Sequence, residues 1–175
     1  RLAARCRRLG LAPIFLTDHD TIDGAVRLQE LAIGRVVVGE ELMTSEGELI
    51  GLFLAQPIQS GLAPAEAALE IKSQGGLVYL EHPYDRTRPH LSETGIEAIA
   101  DLIDIVEVFN GRSDEEANRR AEDLRSTLGA APGAGSPAHA LEGIGSGSVD
   151  LAEFEGVAAF LAKLRRSGCC KTRQR

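Results

Sequence analysis

The chain has 175 residues, of which 43% are hydrophobic and 26% are charged, and its formal net charge is -7 at pH 7. This length predicts a single domain, and the balance of apolar and charged residues is typical of a folded protein rather than a disordered one. No apolar run reaches the roughly 18 to 20 residues needed to cross a bilayer, and the arginine-rich start lacks a signal-peptide core. These features predict a cytoplasmic protein without membrane contact.

Short apolar runs alternate with helical patterns along the chain, which predicts an α/β fold with a largely parallel sheet. Predicted strands cover residues 14–17, 36–39, 77–80, 105–109 and 148–154, and predicted helices cover 23–33, 64–74, 93–101, 113–128 and 156–166. Residues 42–54 break at Thr44–Gly47 and then resume, as in a hairpin. Residues 130–135 are poor in strand formers and encode a strand only weakly.

Basic residues are concentrated near the two ends of the chain, and acidic residues dominate between them. The acidic body argues against a broad nucleic-acid surface, which needs clustered lysine and arginine, and it suits a divalent cation. Residues 167–175 form a basic tail that we expect to be solvated. The three cysteines make neither a disulfide framework nor a paired zinc pattern, so reduced thiols are expected.

Histidine and glutamate recur where predicted strands end. His19 follows the first strand, Glu41 follows the second and His82 follows the third, while His139 comes after the glycine-rich residues 130–135. The carboxyl ends of parallel strands meet at one edge of a sheet, where α/β enzymes place their sites. Oxygen and imidazole ligands without thiolates suit Zn, Mn, Fe or Mg. Taken singly, each of these residues could instead be a loop histidine or a strand-end acid that binds nothing.

Three arginines lie shortly after predicted strand ends: Arg86, Arg88 and Arg112. A guanidinium can bind phosphate oxygens through two parallel hydrogen bonds, although solvated loop arginines are the alternative. Two or more metal ions could hold a phosphate and generate hydroxide at neutral pH. The sequence contains no P-loop, dinucleotide-binding or nucleophile-elbow motif. The pattern therefore predicts a metal-dependent phosphoesterase.

Five segments, in this order and spacing, resemble the PHP (polymerase and histidinol phosphatase) superfamily, and its stand-alone metal-dependent phosphoesterases in particular. They are Leu16–Thr21, Gly39–Leu42, Glu81–Pro83, Glu107–Arg112 and Gly135–His139. The resemblance extends to about residue 166, which predicts one PHP-like domain over residues 1–166.

The resemblance implies a distorted (β/α)7 barrel, here lacking its first strand, with up to three divalent ions at the carboxyl rim. His19, Glu41, His82 and His139 are the implied metal ligands. The catalytic candidates are Asp18, which lies beside His19 in sequence and supports the ligands, and Arg112. The implied reaction is hydrolysis of a phosphate ester, in a small phosphorylated metabolite or a nucleotide, by metal-activated water. A 5'–3' exonuclease acting on DNA or RNA ends is an alternative.

The chain departs from the family pattern at three places. The family's first histidine pair would precede Arg1, so we expect an N-terminal truncation. The family's Asp-x-His motif reads Pro137-Ala138-His139, and the hairpin histidine of many members is replaced by Ile50 or Gly51. These departures keep open a degenerate barrel that binds or regulates without turnover. A structural α/β domain with coincidental histidines is the third reading.

Overall fold

The computed structural model describes residues 2–31, 34–136, 143–167 and 170–171. The α-helices are α1 (Leu2–Leu9), α2 (Asp23–Glu30), α3 (Pro64–Ser73), α4 (Glu93–Ala98), α5 (Glu115–Leu128) and α6 (Gly156–Leu164). A short 3-10 helix covers Ala100–Leu102. The strands are β1 (Ile14–His19), β2 (Val36–Thr44), β3 (Gly47–Leu52), β4 (Leu77–Leu80), β5 (Ile103–Asn110), β6 (Ala131–Gly135), β7 (Ser148–Val149) and β8 (Cys170–Lys171). No helix within these ranges is long and apolar enough to span a membrane.

Six strands form one curled sheet, a half-barrel, in the order β1-β2-β3-β4-β5-β6. Strand β3 runs antiparallel to β2 and β4, whereas β1 with β2, β4 with β5, and β5 with β6 are parallel pairs. The predicted mixture of α/β units and one hairpin is confirmed, and the hairpin lies inside the sheet. The more specific expectation, a (β/α)7 barrel that lacks its first strand, stays a prediction.

The predicted last strand is wrong over most of its length. Only Ser148–Val149 is extended, and it pairs with β8 in a separate two-stranded sheet. Further along, Phe154 is buried against Phe160, and the Arg35 guanidinium lies 4.3 Å from the centre of the Phe154 ring. The Phe154 carbonyl also accepts a hydrogen bond from Arg35. Side-chain packing, rather than a strand ladder, therefore fixes this segment.

The sheet is apolar on both faces, because alternate residues of a strand point to opposite sides. One face packs under α2, α3 and α4 through residues such as Leu42, Leu80 and Ile71. The other face, which we call the inner face, carries Phe15, Ile50, Leu52, Tyr79 and Ile105 and is covered by Phe160 and Leu164 of α6. The inner face leads directly to the candidate site at the rim of the sheet.

Helix α3 provides a test of how the outer layer is held. Ile71 is 0% exposed against the sheet, and Leu69 on the same helix is 58% exposed. Replacing Ile71 with alanine leaves a cavity, so we expect the free energy of unfolding to fall by about 2–5 kcal/mol in urea denaturation. The matched variant Leu69→Ala should cost less than about 0.5 kcal/mol. Equal losses in the two variants would contradict this packing.

Candidate metal centre

Ionisable side chains replace apolar ones along one row of the inner face. In the strand register His19 lies opposite Glu41, Glu41 lies opposite Ile50, and Ile50 lies opposite Tyr79. Residues directly opposite each other share a face, so His19 and Glu41 stand beside the apolar inner core. Glu48 precedes Ile50 by two residues on β3 and therefore points to the same side.

Glu81 and His82 reach the same place from the end of β4. In an extended chain two consecutive side chains point to opposite faces, but the His82 backbone has a φ of +27°. This turn brings both side chains to the rim, where His82 Nε2 lies 3.1 Å from Glu81 Oε2. Both side chains are deeply buried, with exposures of 3% for His82 and 5% for Glu81.

The distances define one cluster of potential ligands. The cluster, called here the rim cluster, consists of His19, Glu41, Glu48, Glu81 and His82. His19 Nδ1 is 3.5 Å from Glu41 Oε1 and 4.0 Å from Glu48 Oε1, and His82 Nε2 is 3.8 Å from Glu48 Oε2. One ligand atom each from Glu41, Glu48, Glu81 and His82 lie within 4.8 Å of one another. That spacing is compact enough for a shared cation.

A buried carboxylate beneath the cluster holds His82 in place. Glu107 of β5 is 5% exposed, and its Oε2 accepts hydrogen bonds from the His82 backbone N–H at 3.0 Å and from Asn110 Nδ2 at 2.8 Å. The Tyr79 hydroxyl donates to Glu107 Oε1 at 3.2 Å. A positive φ is unfavourable for a histidine, so these bonds stabilise the turn that aims His82 at the cluster.

Crowding of buried carboxylates dominates the electrostatics of the centre. Burial, followed by repulsion from Glu81, raises the pKa of Glu41 to about 8. Burial and repulsion from Glu107 and Glu48 raise the pKa of Glu81 well above its usual range. The pKa of His82 is lowered, first by burial and then by the Arg88 guanidinium. The short contacts of His82 with carboxylates are therefore contacts of a neutral imidazole rather than ion pairs.

The residues present fit a divalent cation. Carboxylate oxygens and imidazole nitrogens are the donors that Zn, Mn, Fe and Mg take in proteins. Glu81 Oε1 is buried and has no hydrogen-bond partner among the described residues, although buried polar atoms nearly always have one. A cation would satisfy this oxygen and offset the repulsion among Glu41, Glu48 and Glu81.

One arginine is fixed beside the cluster. Arg88 donates to Asp85 Oδ2 from Nε at 2.9 Å and from Nη2 at 2.6 Å, and Nη2 also lies 3.3 Å from Ser113 Oγ. Burial acts to raise the pKa of Asp85, but hydrogen bonds from Thr87 and Arg88 hold it well below its usual range. Asp85 is therefore a permanent anion. It orients a guanidinium whose charge acts on both Glu81 and His82.

The structure brings together three of the four predicted metal ligands: His19, Glu41 and His82. The fourth, His139, lies outside the described residues, as does Pro137. Asp18 stands on the opposite side of β1 from His19, with its carboxylate against Gly24 in the first turn of α2. Arg112 is exposed after β5, and its backbone N–H donates to Asn110 Oδ1 at 3.0 Å.

Sequence reasoning missed Glu48, Glu81 and Glu107 as members of the site. In the hairpin the residue that reaches the cluster is Glu48. Ile50, one of the two positions at which many family members carry a histidine, packs in the apolar inner face instead. Two signals could have revealed these acids. Glu48 lies among the apolar residues of β3, and Glu107 interrupts the apolar run of residues 105–109 in β5. An acid on the buried face of a strand needs a partner.

Comparison with known proteins extends this picture. The sequence model of the PHP-associated family matches residues 115–169. The fold is similar to a protein from Bifidobacterium adolescentis assigned to the metal-dependent phosphoesterases, with a TM-score of 0.63 and 17% identity over 79% of this chain and 81% of that chain. It is also similar to a two-domain protein from Bacteroides vulgatus that contains a predicted PHP-like metal-dependent phosphoesterase. That TM-score is 0.58 with 19% identity, covering 74% of this chain and 44% of that one.

Residues 115–169 thus match the PHP-associated family, and the fold is similar to that of PHP-like metal-dependent phosphoesterases. A further structure with a similar fold is PsfC from Pseudomonas syringae, with a TM-score of 0.62 and 15% identity over 87% of this chain and 73% of that one. In sequence, the chain is 45% identical over 108 residues to the uncharacterized protein MJ1587 of Methanocaldococcus jannaschii. It is 34% identical over 123 residues to MJ0417 of the same organism.

The chain spans only part of these two relatives. The matched region is 59% of this chain and 61% of MJ1587, and 67% of this chain and 52% of MJ0417. The activity of these two relatives therefore does not follow from the match.

Proposed function

We propose that this chain hydrolyses phosphate esters, with divalent metal ions held by the rim cluster and a small phosphorylated metabolite or nucleotide as substrate. The observation that carries this proposal is a buried set of carboxylates and imidazoles with one oriented guanidinium beside it. The first group suits metal ions, and the second suits a phosphoryl group.

The buried and the exposed residues of the rim cluster have different proposed roles. A divalent ion, when bound, supplies Lewis acidity toward a phosphoryl oxygen and lowers the pKa of a water molecule. Glu48, Glu81 and His82, whose side chains are at most 6% exposed, would hold the ion away from bulk solvent. His19, with 58% of its side chain exposed, stands at the mouth, where its imidazole can bind the ion or carry a proton.

Arg88 is the residue best placed to bind the substrate phosphoryl group. Asp85 and Ser113 engage its Nε and Nη2 atoms, so Nη1 is left for a phosphoryl oxygen. The side chain keeps 18% exposure, which leaves the guanidinium accessible from the rim. Because Asp85 fixes the fork in advance, little side-chain entropy is lost when an anion binds.

The proposed reaction is tested by phosphate release. The chain is stripped with chelator, loaded with Mn²⁺ or Zn²⁺, and incubated with p-nitrophenyl phosphate, nucleoside monophosphates and a 5'-phosphorylated oligonucleotide. We expect metal-dependent release of phosphate from the small esters. Full metal occupancy without release from any substrate would rule out the proposed hydrolysis in this chain, and release of nucleotides from the oligonucleotide would favour the exonuclease.

The variant Arg88→Ala links the reaction to the oriented guanidinium. Loss of one charge-assisted contact costs about 1.5–3 kcal/mol, so we expect kcat/KM to fall roughly 10- to 150-fold when both proteins are assayed at saturating metal. The control is Arg119→Ala, which removes a guanidinium that Glu116 and Asp123 hold on the exposed surface of α5. If Arg112→Ala lost activity and Arg88→Ala did not, Arg112 would be the phosphate ligand.

A further inference from the structure

The loop between β5 and α5 carries an exposed arginine without a carboxylate partner. Arg112 follows the last residue of β5 by two positions, and its side chain is exposed. No ion pair within the described ranges includes Arg112, whereas Arg119 on the following helix pairs with Glu116. Asp114, the next acid in sequence, accepts a hydrogen bond from the Ala117 N–H at 2.7 Å instead. The fold therefore leaves the Arg112 guanidinium available to a ligand.

Hydrogen bonds hold the backbone of Arg112 next to the rim cluster. The Arg112 N–H donates to Asn110 Oδ1 at 3.0 Å. Asn110 Nδ2 donates to Glu107 Oε2, the oxygen that also accepts from the His82 N–H. The Ser113 N–H donates to the Asn110 carbonyl at 3.2 Å, which closes a turn around Arg112. Arg112 is thus tied to the carboxylate that stabilises the His82 turn.

The same turn connects Arg112 to Arg88, the proposed ligand of the scissile phosphoryl group. Ser113 Oγ lies 3.3 Å from Arg88 Nη2 and 3.1 Å from Asp85 Oδ2. Consecutive Cα atoms are about 3.8 Å apart, so the Arg112 backbone is one residue away from the group that contacts the Arg88 guanidinium. A phosphoryl group bound to Arg88 therefore lies close to Arg112.

A hydroxyl group stands beside this turn. The glycine-rich residues 143–147 pass close to it, because a Cβ on Gly111 would lie 3.2 Å from Ser146 Oγ. The Ser146 N–H donates to the Gly143 carbonyl at 3.2 Å, and the Ser146 hydroxyl makes no hydrogen bond with the part of the chain that the structure describes. Such a hydroxyl can donate to an anionic oxygen, as a guanidinium can.

We propose that Arg112 and Ser146 form a second anion site, which binds a further phosphate or carboxylate group on the alcohol portion of the substrate. This proposal rests on the proposed hydrolysis of phosphate esters, and it narrows the substrate to an ester with two anionic groups. A guanidinium binds either group through two parallel hydrogen bonds. The chain has a net charge of -7, which repels a doubly anionic substrate, and a cation at the rim offsets that repulsion locally.

Matched esters test the second anion site. The Mn²⁺-loaded chain is assayed, at buffered free metal, with ethylene glycol bisphosphate against ethyl phosphate, and with trimethylene glycol bisphosphate against propyl phosphate. Phosphoglycolate presents a carboxylate in place of the second phosphate. A charge-assisted contact is equivalent to about tenfold or more in affinity, so kcat/KM per reactive phosphate should be at least about tenfold higher for a doubly anionic ester than for its monoester.

Variants locate the contact through the ratio of kcat/KM for the two esters. Arg112→Ala should lose most of the preference for the doubly anionic ester, and Ser146→Ala should lose a smaller part. Arg88→Ala should lower both values alike and keep their ratio, since the scissile phosphoryl group is common to both esters. The matched control is Arg86→Ala, which removes another exposed arginine near Arg88 in sequence and should also keep the ratio. Equal losses of preference in Arg86→Ala and Arg112→Ala would overturn the second anion site, because they would reflect only the general charge of the rim.

Binding measured without turnover separates this proposal from the proposed hydrolysis. Ethylene bisphosphonate and ethylphosphonate contain no ester bond, so calorimetry on the metal-loaded chain reports affinity alone. The bisphosphonate should bind more tightly, and Arg112→Ala should remove most of the difference. That result in a chain that releases no phosphate would leave the second anion site standing and remove the reaction. Hydrolysis without preference for any doubly anionic ester would leave the reaction standing and remove the second anion site.

Discussion

Replacement of His82 with alanine is expected to weaken binding of a divalent metal ion at least about 100-fold, because changes to residues that merely support metal ligands already cost about 10- to 100-fold. His82 Nε2 lies between Glu81 Oε2 at 3.1 Å and Glu48 Oε2 at 3.8 Å. No other imidazole of the described residues lies in that buried position. Titration with Zn²⁺ against a chromogenic chelator measures the change, and phosphate release should fall in parallel.

A second variant separates ligand loss from damage to the fold. His82 has a φ of +27°, a backbone conformation that glycine adopts without strain. His82→Gly should therefore lose metal as His82→Ala does, while its apo form unfolds at or above the temperature of the alanine variant. If His82→Gly bound the metal ion as tightly as the wild-type chain does, His82 would not be a ligand.

Replacement of Glu107 is expected to lower metal affinity less than replacement of His82 does. The variant Glu107→Gln keeps an oxygen for the His82 N–H and Asn110 Nδ2, but its amide nitrogen is then placed against the Tyr79 hydroxyl. We expect about a 10- to 100-fold loss of metal affinity, in line with other residues that orient a ligand. The control is His90→Ala. His90 lies outside the rim cluster, with Nδ1 3.1 Å from the Arg88 carbonyl oxygen, so this variant should keep its metal affinity.

The elements that local patterns predicted well are those whose residues are buried on both faces. Apolar residues at 36–39, 77–80 and 105–109 read as strands without knowledge of their neighbours, and all lie in the main sheet. Strand β6 could be predicted only weakly, because its composition reflects its neighbours. A Cβ on Gly133 would lie 2.6 Å from Tyr79 Cε2, and one on Gly135 would lie 1.8 Å from Glu107 Oε1. Glycine is required there by packing that local propensity does not encode.

The candidate site was predicted to the extent that it follows the ends of parallel strands. His19 lies at such an end and His82 just after one, so strand position predicted that both lie at one edge. Glu48 begins an antiparallel strand, and its place depends on the register that puts it opposite Met43. Glu81 follows Tyr79 by two residues and so points to the inner face, whereas His82 joins the cluster because its backbone turns. Strand register is a tertiary feature, which explains why Glu48 was not recognised from the sequence.

Metal affinity is expected to rise steeply between pH 6 and pH 8. Burial, with repulsion from Glu81, raises the pKa of Glu41 to about 8, and the pKa of Glu81 is also raised. Both carboxyl groups must lose a proton before they bind a cation. At a pH below the pKa of Glu41, the proton competes with the cation, and metal affinity falls about tenfold for each pH unit. Glu41 alone therefore predicts a roughly 50-fold rise in metal affinity from pH 6 to pH 8.

The stability of the metal-free chain is expected to change with pH in the opposite direction to metal affinity. A carboxyl group whose pKa is higher in the folded state than in the unfolded state binds more protons when folded. Its stabilising contribution is complete below the unfolded pKa and is lost as the pH rises through the folded pKa, which for Glu41 is about 8. The apo protein should therefore lose stability from about pH 4.5 to about pH 8. The metal-bound protein, whose carboxylates are compensated, should not.

Thermal unfolding with and without Zn²⁺ at pH 6, 7 and 8 measures this divergence, and the shift in Tm on adding metal should grow with each step. Calorimetry in two buffers of different ionisation enthalpy counts the protons released, and we expect at least one per chain near pH 7. The variant Glu41→Gln removes the titrating group, so its affinity should be lower and its pH dependence shallower by about one proton. A wild-type affinity that stayed flat across this range would mean that Glu41 is already ionised in the metal-free centre, and that burial among Glu48, Glu81 and Glu107 does not hold its proton.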